Sequence, residues 1–252
     1  MNLNQELKDH ERLGELTMRI DVWSDFGCPF CVIGKRKLEN ALGMFTMRDK
    51  VEVVYRSFQL DPNAQNRSLS TEQLAREKGM TVEQLKAKQA QVAHMIKKEA
   101  GLDVNYDQVT IANTFDGHRL VHFAAKAGKG AELTERLIRA YLSQRMNIAD
   151  HNVLVSLGSE AGLNEQDVAE MLESDAYKDS VKDDIAEARK LNISSVPTYV
   201  FNNKFLISGA QSEEDFLNTL NSIWDEEKKF QKLELKGESK GDDSCTDGVC
   251  YV

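Results

Sequence analysis

The 252-residue chain is long enough to bury a sizeable core, and its 41% hydrophobic and 29% charged content is that of a soluble globular protein. Asp and Glu outnumber Lys and Arg by 41 to 32, a formal charge of −9, which argues against a nucleic-acid backbone or an anionic membrane surface as partner. The first seventeen residues hold no apolar core long enough for a signal peptide and no later run approaches a membrane span, so a cytoplasmic location is expected.

Met18 directly precedes the first strand-like run, so residues 1–17 read as a loose extension or a misassigned start. The segment MRIDVWSDF (18–26) alternates apolar and polar residues and predicts a strand. After Gly27 and the first cysteine pair comes a helix to about Phe45, then a second strand in VEVVYRSFQL (51–60), rich in β-branched and aromatic residues. From about Leu60 to Lys190 the pattern turns helical. Ser70 with Gln73 and Thr81 with Gln84 fit capping boxes, and Gly79, Gly101, Gly128 and Gly162 fall where helices should stop.

The strand pattern returns in SSVPTYVFNNKFLISGAQ (194–211), with Asn202 and Asn203 suited to a two-residue hairpin turn. A last helix is predicted from Ser212, as cap, to about Lys228, with Glu213 and Glu214 complementing its dipole. Beyond it the chain is highly charged and short of apolar anchors, and 229–252 reads as a mobile tail ending in CTDGVCYV. The expected architecture is α/β: a discontinuous domain from 18–60 and 191–228, a helical insertion over 61–190, and the tail.

Four cysteines fall in two close pairs, Cys28 with Cys31 and Cys245 with Cys250. In a reducing compartment such pairs are more often catalytic, redox-sensing or metal-binding than structural. A thiolate, not a thiol, attacks a disulfide, and Cys28 stands where a helix begins, so unpaired N–H groups and the helix dipole favour its charged form. A thiol so placed can fall to roughly pKa 3.5–7.5, against about 8.5 when free. Pro29 suits the first helical turn, where its missing N–H has no partner. Cys31 lies about one turn on, near enough to resolve a mixed disulfide. Far along the chain, Val196-Pro197 opens the second strand set. A cis proline beside the pair would leave the preceding backbone N–H and C=O free for an extended substrate segment.

The order strand, CPFC, helix, strand, helical section, SVPT, hairpin, helix resembles the DsbA-type branch of the thioredoxin superfamily. The blocks DFGCPFCVIGKRKLE, RSFQLDP, NTFDGHRL, VPTYVF and ISGAQ, between about Met18 and Trp224, resemble its FrnE-like members more closely, and CTDGVC resembles a CX4C motif of a FrnE protein. The resemblance implies a thioredoxin-like fold and a thiol–disulfide oxidoreductase acting on protein disulfides or thiols. Carried over by motif, Cys28 is the nucleophile, Cys31 the resolving thiol and Pro197 the cis proline. Pro29, Phe30 and Val196 would join Pro197 in contacting substrate. A redox partner such as thioredoxin or glutathione is implied, and no cofactor or metal. DsbA proteins proper are exported; without an export signal here, the direction of electron flow stays open.

Other readings compete. The two cysteine pairs could form an all-thiolate zinc site if the tail folds back, making a metal-binding or chaperone-like module. A glutathione-dependent isomerase or transferase resembling 2-hydroxychromene-2-carboxylate isomerase would share the fold, but those members carry serine in place of Cys28. Cys245 and Cys250 could be idle, metal-binding or an accessory redox pair. His118 and His122, spaced i, i+4 on a helix from near Asn113 or Thr114, could hold a metal. The plainer expectation is that one packs inward and the other is exposed. Asp25 is expected to cap the next turn rather than move protons, and Lys35, Arg36 and Lys37 to form a solvated basic face.

Overall fold

The structure is a computed structural model that describes residues 16–106 and 108–238. Cys245 and Cys250 therefore lie outside the described residues. In chain order the elements are β1 (Met18–Ser24), α1 (Pro29–Met44), β2 (Val51–Ser57), β3 (Arg67–Ser70), α2 (Thr71–Glu77), α3 (Val82–Ala100), β4 (Gln108–Ile111), α4 (Phe115–Ala125) and α5 (Gly130–Ile138). A π-helical turn, Arg139–Ser143, continues α5, and then come α6 (His151–Glu160), α7 (Glu165–Glu173), α8 (Lys178–Lys190), β5 (Thr198–Phe201), β6 (Phe205–Ser208) and α9 (Glu213–Glu238).

Four strands form one sheet in the order β2-β1-β5-β6. β1 and β2 are parallel, from Met18 opposite Val51 to Ser24 opposite Ser57, so a helical crossover must join them, and α1 is that crossover. β5 runs antiparallel to both β1 and β6, and Asn202 and Asn203 turn the β5–β6 hairpin at φ 49° and 55°, the left-handed conformation asparagine tolerates. The predicted caps hold: Ser70 and Thr81 both complete capping boxes, and Gly79, Gly101, Gly128 and Gly162 all take positive φ.

Two cores organise the molecule. Ile20, Val22, Leu38, Phe45, Tyr199 and Phe216 pack in one, between the sheet and the helices α1 and α9. The other joins Phe26, Val32 and Ile33, around the start of α1, to the apolar faces of the middle helices. A smaller cluster holds Trp23, Cys28, Cys31, Ala188, Ile193, Val196 and Val200, so the cysteines sit where β1, β5 and the end of α8 meet.

The structure corrects two boundaries. The section expected to be wholly helical contains the β3–β4 antiparallel pair, with Arg67 opposite Ile111. Each strand has only four residues and its partner lies about forty residues away, so no local pattern announces it. The last helix does not stop near Lys228 but runs to Glu238. Residues 229–238 are highly charged yet rich in the helix formers Lys, Glu and Leu. Extending a helix already nucleated on the core needs no new nucleus.

Candidate active site

Cys28 is the N-cap of α1, with φ −89° and ψ 112°, and Pro29 is the first helical residue. The extended backbone at Cys28 turns its side chain back over the first turn, where its sulfur accepts a hydrogen bond from the Cys31 N–H at 3.3 Å. The same sulfur lies 3.4 Å from the backbone oxygen of Val196, to which the protonated thiol donates. The Val196-Pro197 bond is cis. The site thus brings together the cysteine pair and the Val196-Pro197 segment, as the resemblance implied.

Both thiols are free and buried, Cys28 4% and Cys31 2% exposed, whereas Phe30 between them is 50% exposed. Their environments push them apart. The Cys28 thiol is held below the ordinary cysteine value, first by the hydrogen bond from Cys31, and the N–H groups of Cys31 and Phe30 add to this. Burial and the Asp25 charge act the other way. Cys31 is pushed well above the ordinary value, mainly by burial and then by Cys28, with Ser24 and the Asp25 backbone offsetting a part. A thiol that ionises more readily than an ordinary cysteine, beside one that burial keeps protonated, suits exchange through a mixed disulfide.

α1 is locked to β5 at Gly34. A Cβ there would overlap the Tyr199 hydroxyl and come within 3.0 Å of Pro197 Cγ, so only glycine lets the helix approach this closely. Nothing in the sequence singles out Gly34 or Tyr199, because the contact joins residues far apart in the chain. Asp25 behaves as a cap: its Oδ1 accepts from Phe26 N–H at 2.9 Å and its Oδ2 from Leu60 N–H at 2.8 Å. His118 stacks on Phe26, with ring centroids 4.4 Å apart, and its Nε2 meets the Phe58 oxygen at 3.0 Å.

Two expectations fail here. His118 is buried, but its partner His122 is not exposed; it is half-buried, with Nε2 2.9 Å from Asp184 Oδ2 and 3.1 Å from Ser57 Oγ. Asp184 on α8 explains this, since its carboxylate also takes the Ser57 N–H and the Arg56 guanidinium, each at 2.8 Å. Burial would raise the Asp184 carboxyl, but His122, the Ser57 N–H and Arg56 outweigh it and hold the group below its ordinary value. The second failure is the basic run. Lys35 is buried, pairing with Glu39 and with Glu135 at 2.9 Å, and Lys37 pairs with Glu99 at 2.8 Å, so the run is largely neutralised by carboxylates. Among the described residues, no group of three or more His, Cys, Asp or Glu side chains is arranged to hold a metal ion.

The model of the DSBA-like thioredoxin domain matches residues 19–221. The chain belongs to the DSBA-like thioredoxin domain family. Its fold is therefore thioredoxin-like, and with the buried dithiol at a helix start it is a thiol–disulfide oxidoreductase. A crystal structure described as a probable DsbA oxidoreductase from Streptomyces coelicolor is 32% identical, with a TM-score of 0.75 over 92% of this chain and 94% of that one. The Bacillus subtilis protein YwbO, described as uncharacterized, is 28% identical over 219 residues, 85% of this chain and all of YwbO. The cytosolic disulfide reductase DsbM from Pseudomonas aeruginosa, solved with GSH, shares the fold at 18% identity and a TM-score of 0.55, over 82% of this chain and 98% of that one. No helix among the described residues is long and apolar enough to cross a membrane.

Proposed function

We propose that this DsbA-family chain exchanges disulfides with protein substrates through Cys28 as nucleophile and Cys31 as resolving thiol. The supporting observation is the asymmetry of the pair. Cys28 caps α1 and accepts the Cys31 N–H, while Cys31 is buried and held protonated. In the reducing direction the Cys28 thiolate attacks a substrate sulfur, an S–S bond forms to Cys28, and the other substrate sulfur leaves as a thiolate that takes a proton. Cys31 then loses its proton and attacks Cys28. The substrate leaves with two thiols, and the enzyme dithiol, two electrons poorer, becomes the Cys28–Cys31 disulfide. The reverse sequence hands the disulfide outward, and the potential of the couple against its redox partner sets the direction.

Exposed Phe30, with Pro29 beside it, and the Val196-Pro197 segment facing Cys28 form the ledge for the substrate chain. Residues 18–60 and 191–228 form the thioredoxin-like unit in this reading and 61–190 the insertion. The protein works in the cytoplasm with a thiol partner of the thioredoxin or glutathione kind, and Cys245 and Cys250 serve as an accessory dithiol. Reduction of insulin disulfides tests the core of the reading. Cys28→Ser should abolish it, and Cys31→Ser should accumulate mixed disulfides with substrate. Full activity in Cys28→Ser overturns the reading.

A further inference from the structure

A cleft of about 500 Å³ opens beside the dithiol, and the residues on either side of Cys28, Gly27 and Pro29, both line it. That volume is in the range that takes a few side chains or a small ligand. Its walls are apolar. Leu74 and Leu85 come from α2 and α3, Val92 from α3, Ile111 from β4, and Tyr141 and Leu142 from the π-helical turn. Tyr141 braces the wall: its hydroxyl accepts the Ala112 N–H at 3.3 Å, and its ring sits so close to Gly27 that a Cβ there would come within 3.0 Å. π-helical turns are rare and gather at functional sites.

The rim carries one sign of charge. Lys78, Lys88 and Arg145 line the cleft and are exposed, and none has a carboxylate partner among the described residues. No described lining residue is acidic. Elsewhere in this chain of formal charge −9, Lys35, Lys37, Arg56 and Arg119 are paired with acids, whereas at the cleft three cations share one lining. Arg145 has φ 58°, an uncommon conformation for a side-chain-bearing residue, and its backbone oxygen is tied to β4 by the Thr110 hydroxyl at 3.0 Å. The backbone is fixed there while the guanidinium stays unpaired.

We infer that this cleft is a specificity subsite for the polypeptide next to the substrate cysteine, selecting an apolar side chain accompanied by acidic ones. The inference rests on Cys28 being the attacking thiol. Pro29 belongs both to the ledge proposed for the substrate chain and to the lining of the cleft, so a chain attached to Cys28 along that ledge brings its neighbouring side chains to the cleft. The apolar wall takes the apolar side chain, and the three cations favour acidic neighbours and speed their approach, as rim charges do.

The test uses the full-length reduced protein and short synthetic peptides, each with one cysteine held as a 2-pyridyl disulfide. The flanking residues are Leu-Glu, Leu-Gln, Leu-Lys or Ser-Glu. Cys28 attacks the peptide sulfur and releases pyridine-2-thione, whose absorbance gives the rate; Cys31 then frees the peptide thiol. The Leu-Glu peptide should react about fivefold or more faster than Leu-Lys, with the gap closing at high salt, and Ser-Glu should be slower than Leu-Glu. In the double variant Lys88→Glu with Arg145→Glu, both sites exposed, the Glu-to-Lys rate ratio should fall to one or invert. A ratio near one in the unaltered protein, or a ratio the double variant keeps, overturns the subsite while leaving the exchange reaction standing. Equal rates for Leu-Glu and Ser-Glu overturn the apolar half of the subsite. A small anionic aromatic disulfide preferred without any peptide preference overturns the polypeptide assignment. Failure of every peptide to release thione overturns the exchange reading itself.

Discussion

Replacing Gly34 by alanine should loosen the helix that carries both cysteines from the strand that follows Pro197. The added Cβ would overlap the Tyr199 hydroxyl and lie 3.0 Å from Pro197 Cγ. Alanine gains about 1 kcal/mol over glycine in a helix interior, but overpacking of this kind costs about 1–3 kcal/mol, so a net loss of up to about 2 kcal/mol follows. The Tyr199 hydroxyl is itself buried without a hydrogen-bond partner among the described residues, so Tyr199→Phe alone should be neutral or stabilise by about 1 kcal/mol. With that oxygen gone the next atoms stand at 3.0 and 3.4 Å, and Gly34→Ala should then cost little. Urea unfolding of the four proteins in this cycle should give a coupling of about 1–2 kcal/mol. Insulin reduction should fall in Gly34→Ala and recover in the double variant. An equal cost for Gly34→Ala with Tyr199 or phenylalanine beside it would refute the contact as the cause.

Asp184→Asn should destabilise the fold by about 3 kcal/mol, because it removes the charge that holds His122 and one of the carboxylates on Arg56, which keeps Asp21, and weakens the bond to the Ser57 N–H. The Asp184 pKa is depressed, so its contribution is present above the ordinary carboxylate value near about pH 4 and is lost as pH falls through the lower folded value. The urea midpoints of the two proteins should therefore converge in acid, and a constant gap counts against this. Asp25→Asn should let Cys28 ionise still more readily, since the Asp25 charge raises that thiol. It should also cost about 1 kcal/mol for the weakened cap on Phe26 and Leu60. Thiolate absorbance against pH should show a lower midpoint; an unchanged midpoint with a large loss of exchange rate would instead make Asp25 a proton carrier.

What could be read from the sequence was local or carried by spaced motifs. Cys28 ahead of Pro29, the two capping boxes and the stop glycines each act within a few residues, and the structure places them as expected; the asparagines do turn the hairpin, but its loop has three residues, Asn202 to Lys204, where two were expected. Val196-Pro197 became legible through family resemblance, since its meeting with Cys28 spans most of the chain. The rest depended on contacts between distant segments. The β3–β4 pairing, the Gly34–Tyr199 approach and the Asp184 hub leave no periodic trace. Lys35 looked solvated because its second partner, Glu135, sits on α5 a hundred residues away and closes over it beside the local Glu39. The same holds for the cleft: Lys78, Lys88 and Arg145 do not stand out in sequence and gain meaning only from sharing the rim of one apolar-walled cleft beside Pro29.

The central claim is the division of labour within the dithiol, and alkylation of the reduced protein across pH tests it most directly. Iodoacetamide labelling, located by mass spectrometry, should modify Cys28 with a midpoint below the ordinary thiol value of about 8.5 while Cys31 stays unlabelled over the same range. Equal labelling of the two, or labelling of Cys31 first, would contradict the account.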